Sequence, residues 1–342
     1  MPSETVPSDA QHSESQHSET QHSEFELIAR FFTPPPPAPD AGVALGVGDD
    51  CTLLAPTAGW QLAVSVDTSL AGVHYPEDAP AEAVGHRALA VSLSDLAAMG
   101  ARARWCLMAL TLAEADEGWM EGFSRGFRAL CESSGAALVG GDVTRGPTAI
   151  GVTVMGELLP GSALTRHGGR PGDLIAVTGA LGGGAGGLAL WQRGERDLDH
   201  PLLIRYLRPQ PRLAAGEALV ELASAAIDVS DGLLADLGHL LERSGVGAVI
   251  EPEALPLAEG LVDALGDAGA RQAALTGGDD YELLLALSPE NFDEARTRLA
   301  ALGLPLTVIG RLEAEPGLRG VKEQDNGGWQ HFHGRPSRGG SS

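Results

Sequence analysis

Lysine is almost missing from this chain. Of its 23 basic side chains only Lys322 is a lysine, so nearly every fixed positive charge is an arginine. A P-loop lysine is thereby excluded, and the pattern GxxxxGK[ST] is absent. Cysteine is also scarce. Cys51, Cys106 and Cys131 are odd in number and lack CxxC spacing, which speaks against a disulfide framework and suits a reducing cytoplasm. No apolar run approaches the roughly 18 residues that suggest a membrane span. The opening "MPSETVPSDAQHSESQHSETQHSE" has neither the basic nor the apolar stretch of a secretory signal. HExxH and GxSxG are missing too. The balance of charge is −23, which argues against nucleic acid or an anionic membrane as partner and favours solubility.

What is present reads as a globular α/β (α+β) protein. A length of 342 residues with 43% hydrophobic residues allows two domains, each with its own core. Residues 1–24, with the near-repeat QHSES/QHSET/QHSE, hold almost nothing to bury and are expected to be a disordered tail, as are residues 336–342. Order is expected from a short helix at "FELIARFF" (25–32), stopped by "PPPPAP". Strands and helices then alternate. The first series is expected as strand 61–66, helix 81–101, strand 103–112, helix 118–135 and strands 136–141 and 148–159. Beyond a boundary near residue 160, strand 173–179 is followed by helices through Ala223 and by a strand at 225–229. The leucine-striped helix after Gly232, strand 247–251, helix 257–266, strand 281–288, helix 291–303 and strand 306–313 complete the pattern. The expected units are 25–159 and 160–335.

Aspartates gather at the ends of apolar strands and in Gly-rich turns: Asp49 and Asp50 in "GVGDDCTLL", Asp67 in "VSVDTSLAG", Asp142 in "LVGGDVTRG", Asp228 and Asp231 in "AIDVSDGLL", Asp279 and Asp280 in "TGGDDYELL". Asp95 lies off the Leu89, Leu93, Leu96 stripe of its helix, beside Ser92 and Ser94. Singly, each acid is an ordinary turn or cap residue, and Ser230 or Asp231 could cap the leucine-striped helix. Gathered together they would repel one another without a cation. Oxygen donors without His or Cys favour magnesium, which keeps waters and takes one or two carboxylates per ion along with substrate phosphates. The run "GGGAGG" (182–187) matches GxGxxG, but no acid closes a second strand about 20 residues later, so close helix–strand packing is the better reading.

In this order "GVGDDCTLL", "SVDTSLAGVHY", "ALAVSLSDLAAMGA", "GGDVTRGP", "IDVSDGLLADLGHL" and "GGDDYELL" resemble the thiamine-monophosphate kinases, members of the ATP-binding superfamily of aminoimidazole ribonucleotide synthetase. The resemblance spans Phe25 to His333. It implies a mixed-sheet N-terminal domain that binds ATP and pairs into a homodimer, and a C-terminal α/β domain. It implies transfer of the ATP γ-phosphoryl group to thiamine monophosphate, assisted by several Mg²⁺ ions. Metal ligands would be Asp50, Ser65, Asp67, Asp95, Asp142, Asp228 and Asp231, with Val66 contributing through its backbone. Gly141, Asp142, Arg166 and Ser230 would meet ATP; His74, Asp279 and Trp329 would meet thiamine phosphate. Where the family has GGEDYEL, this chain has the shorter Asp279. Arg145 is a further candidate phosphate contact, or equally a turn residue paired with Asp142. Two alternatives stand beside this reading: a related enzyme acting on another small acceptor, and a non-catalytic Mg-ATP-binding regulator.

Overall fold

The structure, a computed structural model, describes residues 23–33 and 41–321. Most of the QHSE repeat, the PPPPAP stretch, Lys322, Trp329 and the C-terminal tail fall outside the described residues. Helix α1 (Glu24–Leu27) widens into a looser turn over Ile28–Phe32. Strands β1 (Val43–Leu45) and β2 (Leu53–Leu54) pair across the GVGDD loop. Next come β3 (Gln61–Leu70), α2 (Ala81–Ala98), β4 (Arg102–Leu112), α3 (Glu117–Ser134), β5 (Ala137–Arg145) and β6 (Ala149–Leu158). Their sheet runs β3-β6-β4-β5, antiparallel except between β4 and β5.

Helix α3 is amphipathic and well bounded: the Asp116 carboxylate accepts the Trp119 N–H at its start, and Gly135 ends it in the left-handed region. It crosses α2 with the two backbones in contact. A Cβ on Gly126 would lie 1.9 Å from the Glu82 carbonyl oxygen, and one on Gly85 2.0 Å from that of Phe123. Only glycine allows that approach.

The second half builds a six-stranded sheet. Its elements are β7 (Leu174–Thr178), α4 (Gly183–Gln192), α5 (Pro201–Leu207), α6 (Leu213–Leu219), β8 (Ala223–Asp228) and α7 (Leu233–Ser244). After them come β9 (Gly247–Ile250), α8 (Leu261–Thr276), β10 (Leu283–Leu287), α9 (Pro289–Ala301), β11 (Leu306–Glu313) and β12 (Gly317–Arg319). The strand order is β12-β9-β11-β7-β10-β8, with only β12 and β9 parallel.

Five expectations shift. Strand β3 continues to Leu70 and β5 to Arg145 instead of stopping at 66 and 141, so Asp67 and Asp142 lie within paired strands and not at strand ends. Ala223 opens β8 rather than ending a helix. Helix α8 spans Leu261–Thr276 instead of 257–266 and bends at Gly266, because Ala270, Ala273 and Ala274 are buried and hold its second half in place. Strand β10 begins only at Leu283, because Asp279 and Tyr281 both take left-handed backbone angles.

The two halves share cores. Trp191, Leu203, Tyr206 and Leu207 of α4 and α5 are buried in the core of the first sheet, while Ala97 and Ala98 of α2 pack with Leu219, Ala226 and Leu285. Helix α2 is therefore enclosed on most sides, and even Ser92 and Ser94 are fully buried. What reads in sequence as a polar flank of that helix is its contact with the rest of the site.

Candidate active site

Asp228 is the last residue of β8. It is buried and accepts a 2.7 Å hydrogen bond from Ser94 Oγ on α2. One residue further along α2, Asp95 accepts a hydrogen bond of 2.5 Å from Ser65 Oγ on β3. Three elements from both halves thus line one cavity of about 570 Å³, with Arg166 on its wall. Asp67 stands two residues beyond Ser65 on the same face of β3. Its Oδ2 is buried without a hydrogen-bond partner. Burial, and then the charge of Asp95, push Asp67 up to about 6 and Asp228 up to about 7, with the Ser92 hydroxyl opposing the rise at Asp67 and the Ser94 hydrogen bond opposing it at Asp228.

A buried carboxylate oxygen without a partner, beside like charges, is a poor structural element and a good cation ligand. The donors are all oxygen, which fits Mg²⁺. Among the described residues, no three His, Cys, Asp or Glu side chains form a group that could hold a metal ion by themselves. An ion that takes few carboxylates and fills its shell with water and phosphate oxygens suits that arrangement.

The turn after β8 has a different designer from the one expected. Gly232 is the residue before α7, with φ of 121° and no side-chain cap. Asp236, in the first turn of the helix, accepts the backbone N–H groups of Ser230, Asp231 and Gly232 at 3.0, 3.1 and 3.1 Å. The capping role expected of Ser230 or Asp231 belongs to Asp236. Burial, then Asp228 and Asp231, push its carboxyl up to about 7. The segment carrying Asp279 lies against the same turn: the Asp279 N–H donates to Ser230 O at 2.9 Å and the Tyr281 N–H to Val229 O at 2.8 Å.

The other expected residues sit apart. Asp50, Gly141 and Asp142 line a second recess of about 810 Å³ beside the turn after α1. Gly141 is needed there, since a Cβ would lie 1.9 Å from the Met108 carbonyl oxygen. Arg145 ends β5, exposed, three residues after Asp142 and so on the opposite face of the strand; no ion pair joins them among the described residues. Val66 points outward from β3, an edge strand. His74 Nδ1 accepts the Leu70 N–H at 2.9 Å, which leaves the proton of a neutral ring on Nε2.

Residues 48–158 match the family "AIR synthase related protein, N-terminal domain", and residues 170–323 its C-terminal counterpart. The thiamine-monophosphate kinase of Salmonella typhimurium is 43% identical over 318 residues, 90% of this chain and 98% of that one. The chain belongs to the thiamine-monophosphate kinases. The crystal structure of the Stenotrophomonas maltophilia K279a kinase superposes with a TM-score of 0.79 at 45% identity, covering 86% of this chain and 94% of that one. A structure described as AaThiL complexed with AMPPCP and TMP gives a TM-score of 0.74 at 33% identity, covering 81% and 89%.

In this thiamine-monophosphate kinase family member the Gly-rich turn is a packing device. Asp280 accepts the Gly182 and Gly184 N–H groups at 2.7 and 3.1 Å, so the start of α4 is closed by the chain's own carboxylate. A Cβ on Gly187 would meet the Leu202 carbonyl oxygen of α5 at 2.2 Å, so the close approach is of helix to helix and not the helix-to-strand packing expected. Beneath it, fully buried Glu282 accepts hydrogen bonds from Arg212 at 2.6 and 2.8 Å and from Thr178 Oγ1 at 2.8 Å. Asp236 and Glu282 were not among the sequence candidates, and Asp280, one of the gathered aspartates, serves the start of α4 instead of the cavity. The one available signal was for Asp236, an acid in a first helical turn.

Proposed function

We propose that this chain transfers the γ-phosphoryl group of ATP to thiamine monophosphate, giving thiamine diphosphate and ADP. An anionic oxygen of the acceptor phosphate forms the new bond to the γ-phosphorus as the bond from that phosphorus to the ADP oxygen breaks. The acceptor oxygen already carries its charge near neutral pH, so no side chain has to remove a proton. The chain's task is to hold two anions in line and offset their repulsion. The observation that carries this reading is the buried, partnerless Asp67 oxygen in a cluster with Asp95 and Asp228, beside Arg166.

In this reading Ser65, Asp67, Asp95 and Asp228 hold Mg²⁺ on one side. Asp231, Asp50, Asp142 and the Val66 backbone complete the set. Bound Mg²⁺ supplies positive charge against the phosphate oxygens, in a chain with one lysine. Arg166, Ser230 and Gly141 serve the nucleotide; His74, Asp279 and Trp329 serve the acceptor, and Arg145 is a further phosphate contact. Residues 25–159 and 160–335 act as the two units, meeting at α2 and β8. The related structure holding AMPPCP and TMP supports the pairing of a nucleotide with this acceptor. ADP release that depends on added thiamine monophosphate is the expected result. Turnover with other small acceptors only, or ATP binding without turnover, would replace this reading with one of its two rivals.

We also propose a homodimer, placed in the cytoplasm. Val64 and Val66 on the outer face of β3 are 62% and 64% exposed, flanked by exposed Leu62 and Leu70. A row of that kind on an edge strand is a docking face or an aggregation hazard. Sedimentation at micromolar concentration should give a dimer for the wild type and a monomer for Val64→Glu. A monomeric wild type would remove the proposal.

A further inference from the structure

Arg87 is a charged side chain of α2 that neither the metal nor the nucleotide reading uses, and it is buried. Its Nη2 pairs with Asp279 Oδ1 at 2.5 Å, and its Nη1 donates to the Tyr206 carbonyl oxygen at 2.6 Å. The guanidinium lies 4.9 Å from the Tyr206 ring centre and 5.9 Å from that of Tyr281. Tyr281 OH donates to the same Asp279 Oδ1 at 2.9 Å. One oxygen of Asp279 is thus held twice, and the side chain as a whole remains 29% exposed.

The backbone around this pair is unusual. Asp279 has φ of 70° and Tyr281 φ of 51°, the only non-glycine residues with positive φ among those described. A left-handed tyrosine is strained, and such strain persists where the surroundings over-determine it. Here the surroundings are Arg87 on one side and the Asp228–Gly232 turn on the other, through the backbone bonds to Ser230 and Val229. Arg87 comes from the first half of the chain, 192 residues before its partner. A mere link between halves would not require an ill-favoured backbone at its acidic end. Setting one carboxylate at a fixed distance from the metal-side turn would.

We propose that Arg87 is a positioning residue for the phosphate acceptor. By pinning Oδ1 of Asp279 it aims Oδ2 at a hydrogen-bond donor of thiamine monophosphate, at a set place relative to the Asp228–Asp231 turn. This inference rests on the proposed kinase reading.

The test is a double-mutant cycle of Arg87→Met and Asp279→Asn, with Arg87→Lys beside it, each read by steady-state kinetics in both substrates. Arg87→Met should raise the KM for thiamine monophosphate about 10- to 100-fold, the loss expected for a charged hydrogen bond, with less than about 3-fold change in the KM for ATP. Arg87→Lys should recover much of the loss. In the Asp279→Asn background, Arg87→Met should add less than about 3-fold, because its route of action is already gone. Equal rises in both KM values, or effects that multiply with Asp279→Asn, would make Arg87 a structural ion pair and overturn the proposal. If Arg87→Met does not fold, Arg87→Lys alone decides: its KM change must fall on thiamine monophosphate and spare ATP. The wild type is assayed first. No turnover of thiamine monophosphate would overturn the kinase reading and this inference with it, whereas active wild type with the equal or multiplicative pattern overturns this inference alone.

Discussion

Asp228→Asn should lower thiamine diphosphate formation by roughly 10³-fold, the scale of losing one preorganised electrostatic group from a water-poor site. The substitution is nearly isosteric, and an amide oxygen can still accept the Ser94 hydroxyl, so the β8–α2 contact survives. What disappears is one negative charge among Asp67, Asp95 and Asp228. In the metal-free protein that charge is unfavourable, since burial and Asp95 push Asp228 up to about 7. The variant should therefore melt at the same temperature as the wild type or higher, while its stabilisation by Mg²⁺ shrinks. Stability gained where activity is lost is the mark of a residue kept for function. Activity within about 10-fold of the wild type would remove Asp228 from the phosphate-transfer site.

A second large effect is expected in the pH dependence of stability without metal. Asp67 is pushed up to about 6, and Asp228, Asp236 and Asp280 to about 7, all from an ordinary value of 3.8, with burial the leading cause in each. The folded state therefore binds more protons than the unfolded chain between pH 3.8 and 7. These groups favour folding fully below pH 3.8, and that contribution is lost as pH rises through 6 and 7. With about 1.4 kcal/mol per pKa unit, Asp228 alone sets a ceiling of roughly 4 kcal/mol. The melting temperature in EDTA should fall by roughly 5–10 °C between pH 5.5 and pH 8.

The net charge of −23 works in the same direction. Salt separates the two, because self-repulsion at the surface is screened at 0.5 M NaCl and the buried contribution is screened far less. Mg²⁺ should reverse the fall most strongly at pH 8, where its ligands are deprotonated. A metal-free melting temperature that stays level or rises over this interval at high salt would show that these carboxyls are not desolvated.

Much of the site could be read along the chain because its residues announce themselves locally. An aspartate closing an apolar strand, as Asp228 does, stands out against its neighbours, and the Leu233, Leu234, Leu237, Leu240, Leu241 stripe marks α7 without help. The Gly-rich turn read as packing because no second acid followed it, but its partner is helix α5 and not a strand, which the run itself does not reveal. Residues that act on other residues were hidden. Arg87 sits beside His86 in a helix whose Leu stripe and Asp95 draw the eye elsewhere, and nothing near it in sequence points to Asp279. The late start of β10 was hidden too, since a strand pattern does not reveal that Asp279 and Tyr281 are held in left-handed conformations by distant partners.

The sequence by itself determined the chemical means. Clustered oxygen donors and a single lysine favour a hard cation over a P-loop as the expected means of handling phosphate, and local periodicity sets most strands and helices. The tertiary structure alone decided which acids share a cavity. Ser94 and Asp228 are 134 residues apart, and Ser65 and Asp95 are 30 apart. Whether such carboxylates repel, cap a turn or await a cation depends on distance and burial, because the field between charges is weak in water and strong where water is excluded. Those two quantities exist only once α2 is enclosed between the halves of the chain.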